Sequence, residues 1–244
     1  MDTTGMKTAK PENLPAHSHW LESTDAAQLA QTLATTIAEQ LRAALDIRPR
    51  ASLAVSGGRT PLAMLQHLSQ EKLDWQRVDI TLADERWVNE ADSASNAALV
   101  KANLITQQAA EATFYPLYNG QASATEGQAS CQKQLRAMHW PLDALVLGMG
   151  NDGHTASLFP QCPALHQALS ATPSQLCLAT HAPVQPTQRM TLTAATLMRA
   201  RNKHLHIEGA QKRQVLEQAM HLRSAMKMPI FTFLQHPLTI HWCP

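Results

Sequence analysis

"LVLGMGNDGHTASLFP", residues 145–160, decides which kind of α/β fold the chain adopts. Its apolar first part reads as a buried strand. Gly148, Gly150 and Gly153 then match G-x-G-x-x-G, the glycine pattern of a dinucleotide-binding strand-to-helix turn. That pattern has meaning only with a helix opening near its third glycine and an acidic residue about 20 positions later to hold a ribose. Here Pro160 and Pro163 interrupt the chain first, and no Asp or Glu lies between His154 and Ile207. The dinucleotide assignment fails its own test. What remains is a glycine-lined strand end presenting Asp152 and His154, a carboxylate able to orient a base of near-neutral titration.

Further out, short apolar runs at 51–56, 78–83, 143–149, 203–209 and 229–234 predict buried strands. Between them, residues 61–69, 95–109, 122–138, 191–200 and 210–224 read as helices. An amphipathic helix at 25–45 precedes them, with Leu29, Leu33, Ile37, Leu41 and Leu45 every four residues and Thr24 or Asp25 as N-cap. Alternation of this kind predicts an α/β, Rossmann-like fold, a mostly parallel sheet with helices on both faces, whose ligands sit beyond the carboxyl ends of the strands. The segment 119–127 reads as an exposed loop. Pro and polar residues make 1–20 a flexible N-terminal tail, leaving 21–244 as a single domain.

Composition narrows the partner. A net charge of +1 with 16% charged residues gives no broad basic field, which argues against nucleic acid. No run approaches the roughly 18 apolar residues of a membrane span. Four cysteines without a C-x-x-C pair, and no apolar leader, predict a reduced, cytoplasmic setting. A small molecule is the expected partner, with the chain a monomer or weak homodimer.

Three more segments carry chemistry. In "AVSGGRTP", 54–61, a strand runs into Ser56, Gly57 and Gly58, and Thr60 and Pro61 read as the N-cap and first residue of a helix. Freed backbone N–H groups and the hydroxyls of Ser56 and Thr60 make an anion seat, unless the segment is a plain turn. In "TLADERWV", 81–88, a strand ends in Asp84, Glu85 and Arg86. Either Arg86 faces an anion with Asp84 orienting it, or the three form a surface ion-pair cluster. Arg189 and Lys212 each lie near a predicted helix start, where they either close an anion site or remain solvated charges. Metal-ligand spacing is weak: "HSH" at 17–19 and "HLH" at 204–206 lack a Cys or carboxylate at site-like spacing. G-x-S-x-G is absent, so Ser157 is not read as a nucleophile.

In order, "SGGRTP", "DERWV", "DSASN", "GMGNDGHTASLFP", "RMTLT" and "EGAQK" resemble the successive signatures of the 6-phosphogluconolactonase family, from about residue 20 to near the end. The resemblance implies a fold shared with glucosamine-6-phosphate deaminases and hydrolysis of 6-phospho-D-glucono-1,5-lactone in the oxidative pentose phosphate pathway, without metal or organic cofactor. The deaminase pattern D-G-H-I-A-F-N-E-P places a Glu seven residues after its Asp. This chain has Phe159 there, and Asp-Glu-Arg in place of Asp-Glu-Tyr.

The site expected from the resemblance seats the 6-phosphate in Ser56, Gly57, Gly58 and Thr60, helped by Arg189 and Lys212. Arg59 either adds a phosphate contact or points to solvent. His154 is the general base, Asp152 orients it, and Arg86 with loop N–H groups faces the oxyanion. Asp84 and Asn96 contact sugar hydroxyls or support Arg86. Two other functions share these features: a sugar-phosphate deaminase or isomerase, and a non-catalytic sugar-phosphate sensor.

Overall fold

The computed structural model describes residues 10–244. Its strands are β1 (Ser18–Glu22), β2 (Ala51–Val55), β3 (Val78–Leu82), β4 (Asp84–Arg86), β5 (Thr113–Tyr115), β6 (Ala144–Leu147), β7 (Cys177–His181), β8 (Gln188–Leu192), β9 (Asn202–Glu208) and β10 (Leu238–Cys243). Its helices are α1 (Ala26–Ile47), α2 (Leu62–Ser69), α3 (Asn96–Asn103), α4 (Ala124–Leu135), α5 (Leu165–Ser170), α6 (Ala194–Met198), α7 (Gly209–Leu222) and α8 (Phe231–Leu234).

Seven strands form one parallel sheet in the order β1-β10-β9-β6-β2-β3-β5. Every residue of β2, β3 and β6 is buried, as a parallel sheet covered on both faces requires. One face packs on α1, whose Leu29, Leu33, Ile37 and Leu41 are fully buried; each contributes roughly 1.5–3 kcal/mol of burial. Asp25 caps this helix by accepting from the Gln28 N–H at 2.9 Å. On the other face Arg213 of α7 lies over the rings of Trp20 and Trp242. From β2 the chain proceeds to β3 and β5 on one side, then returns to β6 on the other. The β2/β6 junction is therefore the point where the strand order reverses, where open α/β sheets bind ligands.

The structure departs from the expected elements in several places. Residues 229–234 are not a strand: Ile230, Phe233 and Leu234 are buried at helical spacing, and α8 occupies 231–234. A short apolar run does not distinguish strand from helix. The strand instead is β10, whose alternating Thr239 and His241 hide its apolar face in the sequence. The tail boundary at residue 20 falls inside β1, which is polar because it lies at the sheet edge; residues 1–9 lie outside the described residues. The helix expected at 191–200 is shorter, α6, because residues up to Leu192 belong to β8. β4, β8 and β7 form a second, antiparallel sheet absent from the expected elements.

Buried charge pins the sheet at the end away from the strand termini that carry the glycine loops. Asp143 pairs with Arg48 at 2.7 Å and accepts from the Ser52 N–H at 3.0 Å, and Asp79 pairs with Arg50 at 2.6 Å. On the α1 face His204 bridges His241 at 3.0 Å and Gln40 at 2.9 Å. Burial lowers His204 to about 4; burial, followed by the charges of His204 and His206, lowers His241 to about 3. Folded-state values below the unfolded value of about 6.5 mean that the unfolded chain takes up protons first. The stability these neutral rings allow is complete above about pH 6.5 and is lost as pH falls toward 4. At pH 5 the loss is roughly 2 kcal/mol per ring. Urea unfolding at pH 7 and pH 5 should show a His204→Gln/His241→Gln double variant losing less stability than the wild type; equal losses would contradict the neutral assignment.

Candidate active site

The β2/β6 junction opens into a cleft of about 200 Å³. Two loops meet there because β2 and β6 are paired. The Ser56 N–H donates to Val146 O at 3.0 Å, and the Gly148 N–H donates to Ser56 Oγ at 3.3 Å. The cleft is lined by Ser56, Gly57, Gly58, Arg59, Thr60, Asp84, Arg86, Asn96, His154, Arg189 and Lys212. Asp152 joins them through His154. Residues from five separate parts of the chain, 56–60, 84–96, 152–154, 189 and 212, are thus brought to one place.

In the 148–160 loop, His154 Nδ1 and Asp152 Oδ1 are 2.5 Å apart, and the same oxygen accepts from the His154 N–H at 3.1 Å. Burial acts to raise the Asp152 pKa, but the His154 hydrogen bonds and charge outweigh it and hold the carboxyl below its usual range. Bonded at Nδ1, the imidazole has Nε2 left to act as a base. Gly150 is needed because any Cβ there would collide with the His154 ring and Asp152 Oδ1. The loop is firmly held: Thr155 Oγ1 donates to Gly148 O at 2.8 Å, and the Ile230 N–H donates to Gly153 O at 2.9 Å. Ser157 is fully buried and donates to Asp84 Oδ2 at 2.5 Å, an anchor between loop and small sheet rather than a nucleophile.

The small sheet supplies the cations. Arg189 is not at a helix start, as expected from sequence, but within β8, directly opposite Arg86 of β4. Opposed residues of an antiparallel pair share a face, and like charges so placed repel. Arg189 is buried, and its Nε donates to Pro186 O at 2.8 Å. Burial, opposed by Asp84 and reinforced by Arg86, lowers its pKa. Arg86 Nη1 donates to Ala94 O at 2.6 Å. Two adjacent guanidiniums in a cleft constitute a site for an anion. Phe159, beneath Arg189 at 5.6 Å and against the His154 ring at 4.5 Å, keeps both side chains in place.

Glu85, grouped with Asp84 and Arg86 in the sequence as a charge cluster, is fully buried and builds the site from beneath. Its carboxylate accepts from the N–H groups of Arg86 and Asn96 at 2.8 Å and of Ala97 at 2.7 Å, satisfying the first turn of α3. Burial raises its pKa to about 7 against these bonds. Asn96, placed by Glu85, donates to Asp84 O at 2.9 Å, and its Oδ1 is buried without a partner beside Gly57. A Cβ at Gly57 would strike that oxygen.

Thr60 does not cap a helix as expected: α2 begins at Leu62 with Pro61 at its N-cap, and the Thr60 side chain lines the cleft instead. Arg59 is exposed on the rim. Lys212 is in the first turn of α7, as expected, and its Nζ donates to Met149 O and Asn151 Oδ1, both at 2.7 Å. Burial lowers its pKa, opposed by Asp152. Sequence reasoning missed His206 and Glu208, which also line the cleft. A signal was present: Glu208 is the first acidic residue after Asp152, directly ahead of the helix that carries Lys212. Among the described residues no group of three His, Cys, Asp or Glu side chains is arranged to hold a metal ion, and no helix is long and apolar enough to cross a membrane.

Known proteins resemble the chain over most of its length. The chain is 46% identical over 219 residues to a 6-phosphogluconolactonase of Pseudomonas aeruginosa, covering 90% of this chain and 92% of the relative. A crystal structure of a 6-phosphogluconolactonase from Shewanella baltica superposes with a TM-score of 0.90 at 40% identity, over 93% of this chain and 98% of that one. A monomeric glucosamine-6-phosphate deaminase, 15% identical with a TM-score of 0.75 over 92% and 97% of the two chains, shares the fold. Residues 24–242 match the family described as glucosamine-6-phosphate isomerases/6-phosphogluconolactonase, and the chain belongs to that family.

Proposed function

We propose that this protein hydrolyses 6-phospho-D-glucono-1,5-lactone to 6-phospho-D-gluconate, a step of the oxidative pentose phosphate pathway. The observation that carries the assignment is the His154 and Asp152 pair, 2.5 Å apart, in one cleft with the opposed Arg86 and Arg189. A base and an anion site lining one cleft suit an anionic substrate with a carbonyl to be attacked by water.

In the reaction, His154 Nε2 takes a proton from water as the oxygen attacks the lactone carbon. Asp152, bonded to Nδ1, favours the imidazolium that forms. The carbonyl π electrons move to oxygen, and Arg86 with loop N–H groups faces that charge; one donor of this kind contributes roughly 3 kcal/mol. As the tetrahedral intermediate collapses, the bond from the former carbonyl carbon to the ring oxygen breaks. His154 returns its proton to that oxygen, leaving a carboxylic acid and a free hydroxyl. The 6-phosphate takes the 56–60 loop with Arg189 and Lys212, and Asp84 and Asn96 support Arg86 and the sugar hydroxyls. Ser56 and Thr60 hydroxyls and the Gly57 and Gly58 N–H groups serve the phosphate.

Purified protein given freshly made lactone should release 6-phosphogluconate faster than a no-enzyme control, and no acceleration would sink the assignment. Phe159 stands where the deaminase pattern has its Glu, so glucosamine 6-phosphate should yield no ammonia. His154→Ala should lower kcat by about 10²- to 10⁴-fold with an unchanged circular dichroism spectrum. Near-wild-type kcat would remove His154 as the base. Lys212→Ala should chiefly raise KM, by roughly 10-fold for one lost charge-assisted bond. Gly150→Ala, which forces the His154 ring from Asp152, should lower kcat while leaving inhibition by inorganic phosphate intact; a parallel loss of both would point to a collapsed loop instead.

A further inference from the structure

Across the β6 loop from the 56–60 loop, the carboxyl end of β9 adds His206 and Glu208 to the cleft. The two alternate along β9 and so share a face, with His206 Nε2 3.2 Å from Glu208 Oε1. His206 is 2% exposed and its Nδ1 is buried without a partner. A proton on Nδ1 would be a buried unsatisfied donor, so the ring carries its proton on Nε2 and donates to Glu208.

Glu208 occupies the N-cap position of α7, where a carboxylate ordinarily turns back to accept from the first N–H groups of its helix. It makes no such bond. His206 draws it aside, and among the described residues no Lys or Arg forms a salt bridge with it. The other two cleft carboxylates already have strong partners, Asp152 with His154 and Asp84 with Ser157. Glu208 therefore brings into a cation-rich cleft an acceptor with one oxygen uncommitted, unsuited to phosphate and suited to groups that donate.

We infer that Glu208, held by His206, is a specificity-determining residue that accepts hydrogen bonds from the hydroxyls of the sugar ring, with His206 as its positioning residue. The inference rests on the lactonase assignment above. It separates two duties in the cleft: the guanidiniums, Lys212 and the glycine loop recognise the anion, and Glu208 recognises the polyol. A phosphate ester without hydroxyls at that position would gain only the first.

The test compares wild type, Glu208→Gln, His206→Leu and His206→Gln in steady-state hydrolysis of the lactone, with inorganic phosphate as a competing inhibitor. Glu208→Gln should raise the lactone KM about 10- to 100-fold, the effect of one hydrogen bond to a charged group, with kcat and the phosphate inhibition constant changed less than about 2-fold. His206→Leu should raise KM in the same sense. His206→Gln, which retains an N–H donor, should recover part of the loss. An unchanged KM in Glu208→Gln, or an equal weakening of lactone and phosphate, would overturn the inference while the wild-type rate upholds the lactonase assignment. A wild type without activity would overturn both.

Discussion

The pairing of β2 with β6 is the constraint from which the site follows. The chain leaves β2 in one direction and reaches β6 only after completing the other half of the sheet, so the two strand ends diverge in sequence and meet in space. Ser56 joins them, donating its N–H to Val146 O and receiving the Gly148 N–H on its hydroxyl. The 56–60 glycine loop and the loop carrying His154 are thereby fixed at adjacent strand ends. Preorganisation of this kind does much of the work of a catalyst, because the reacting groups need no further alignment.

The small antiparallel sheet supplies the second requirement, concentrated positive charge. Placing Arg86 opposite Arg189 sets like charges side by side, and the fold sustains it with the carbonyl oxygens of Ala94 and Pro186, the face of Phe159 and the nearby charge of Asp84. Glu85 holds the sheet to α3 from below and Ser157 ties it to the 148–160 loop through Asp84.

Much of this was legible in the sequence, for reasons that differ between segments. Glycines at 57, 58, 148 and 150 mark strand ends: a Cβ would strike the Asn96 side chain at Gly57 and the His154 ring at Gly150, and Gly58 takes a left-handed φ of 100°, whereas a Cβ at Gly148 would meet open space. The absence of an acid between His154 and Ile207 excludes a dinucleotide site from letters alone. The pairing of β4 with β8 was not legible, since β4 is three charged residues and its partner is remote in the chain; Arg189 was consequently assigned to a helix start. The 229–234 run reads as a strand because its apolar residues satisfy both periods, while polar alternation conceals β10. His206 and Glu208 escaped because a strand-end pair has no spacing motif of its own.

On the proposed reading, one bound sugar phosphate spans the two loops joined at β2 and β6. A crystal structure of the protein with 6-phosphogluconate tests it most directly. The phosphate is expected on the 56–60 loop beside Arg189, and the C1 carboxylate within hydrogen-bond reach of His154 Nε2, roughly 2.6–3.2 Å. A product whose C1 group lies away from His154, or whose phosphate sits outside the 56–60 loop, would contradict it.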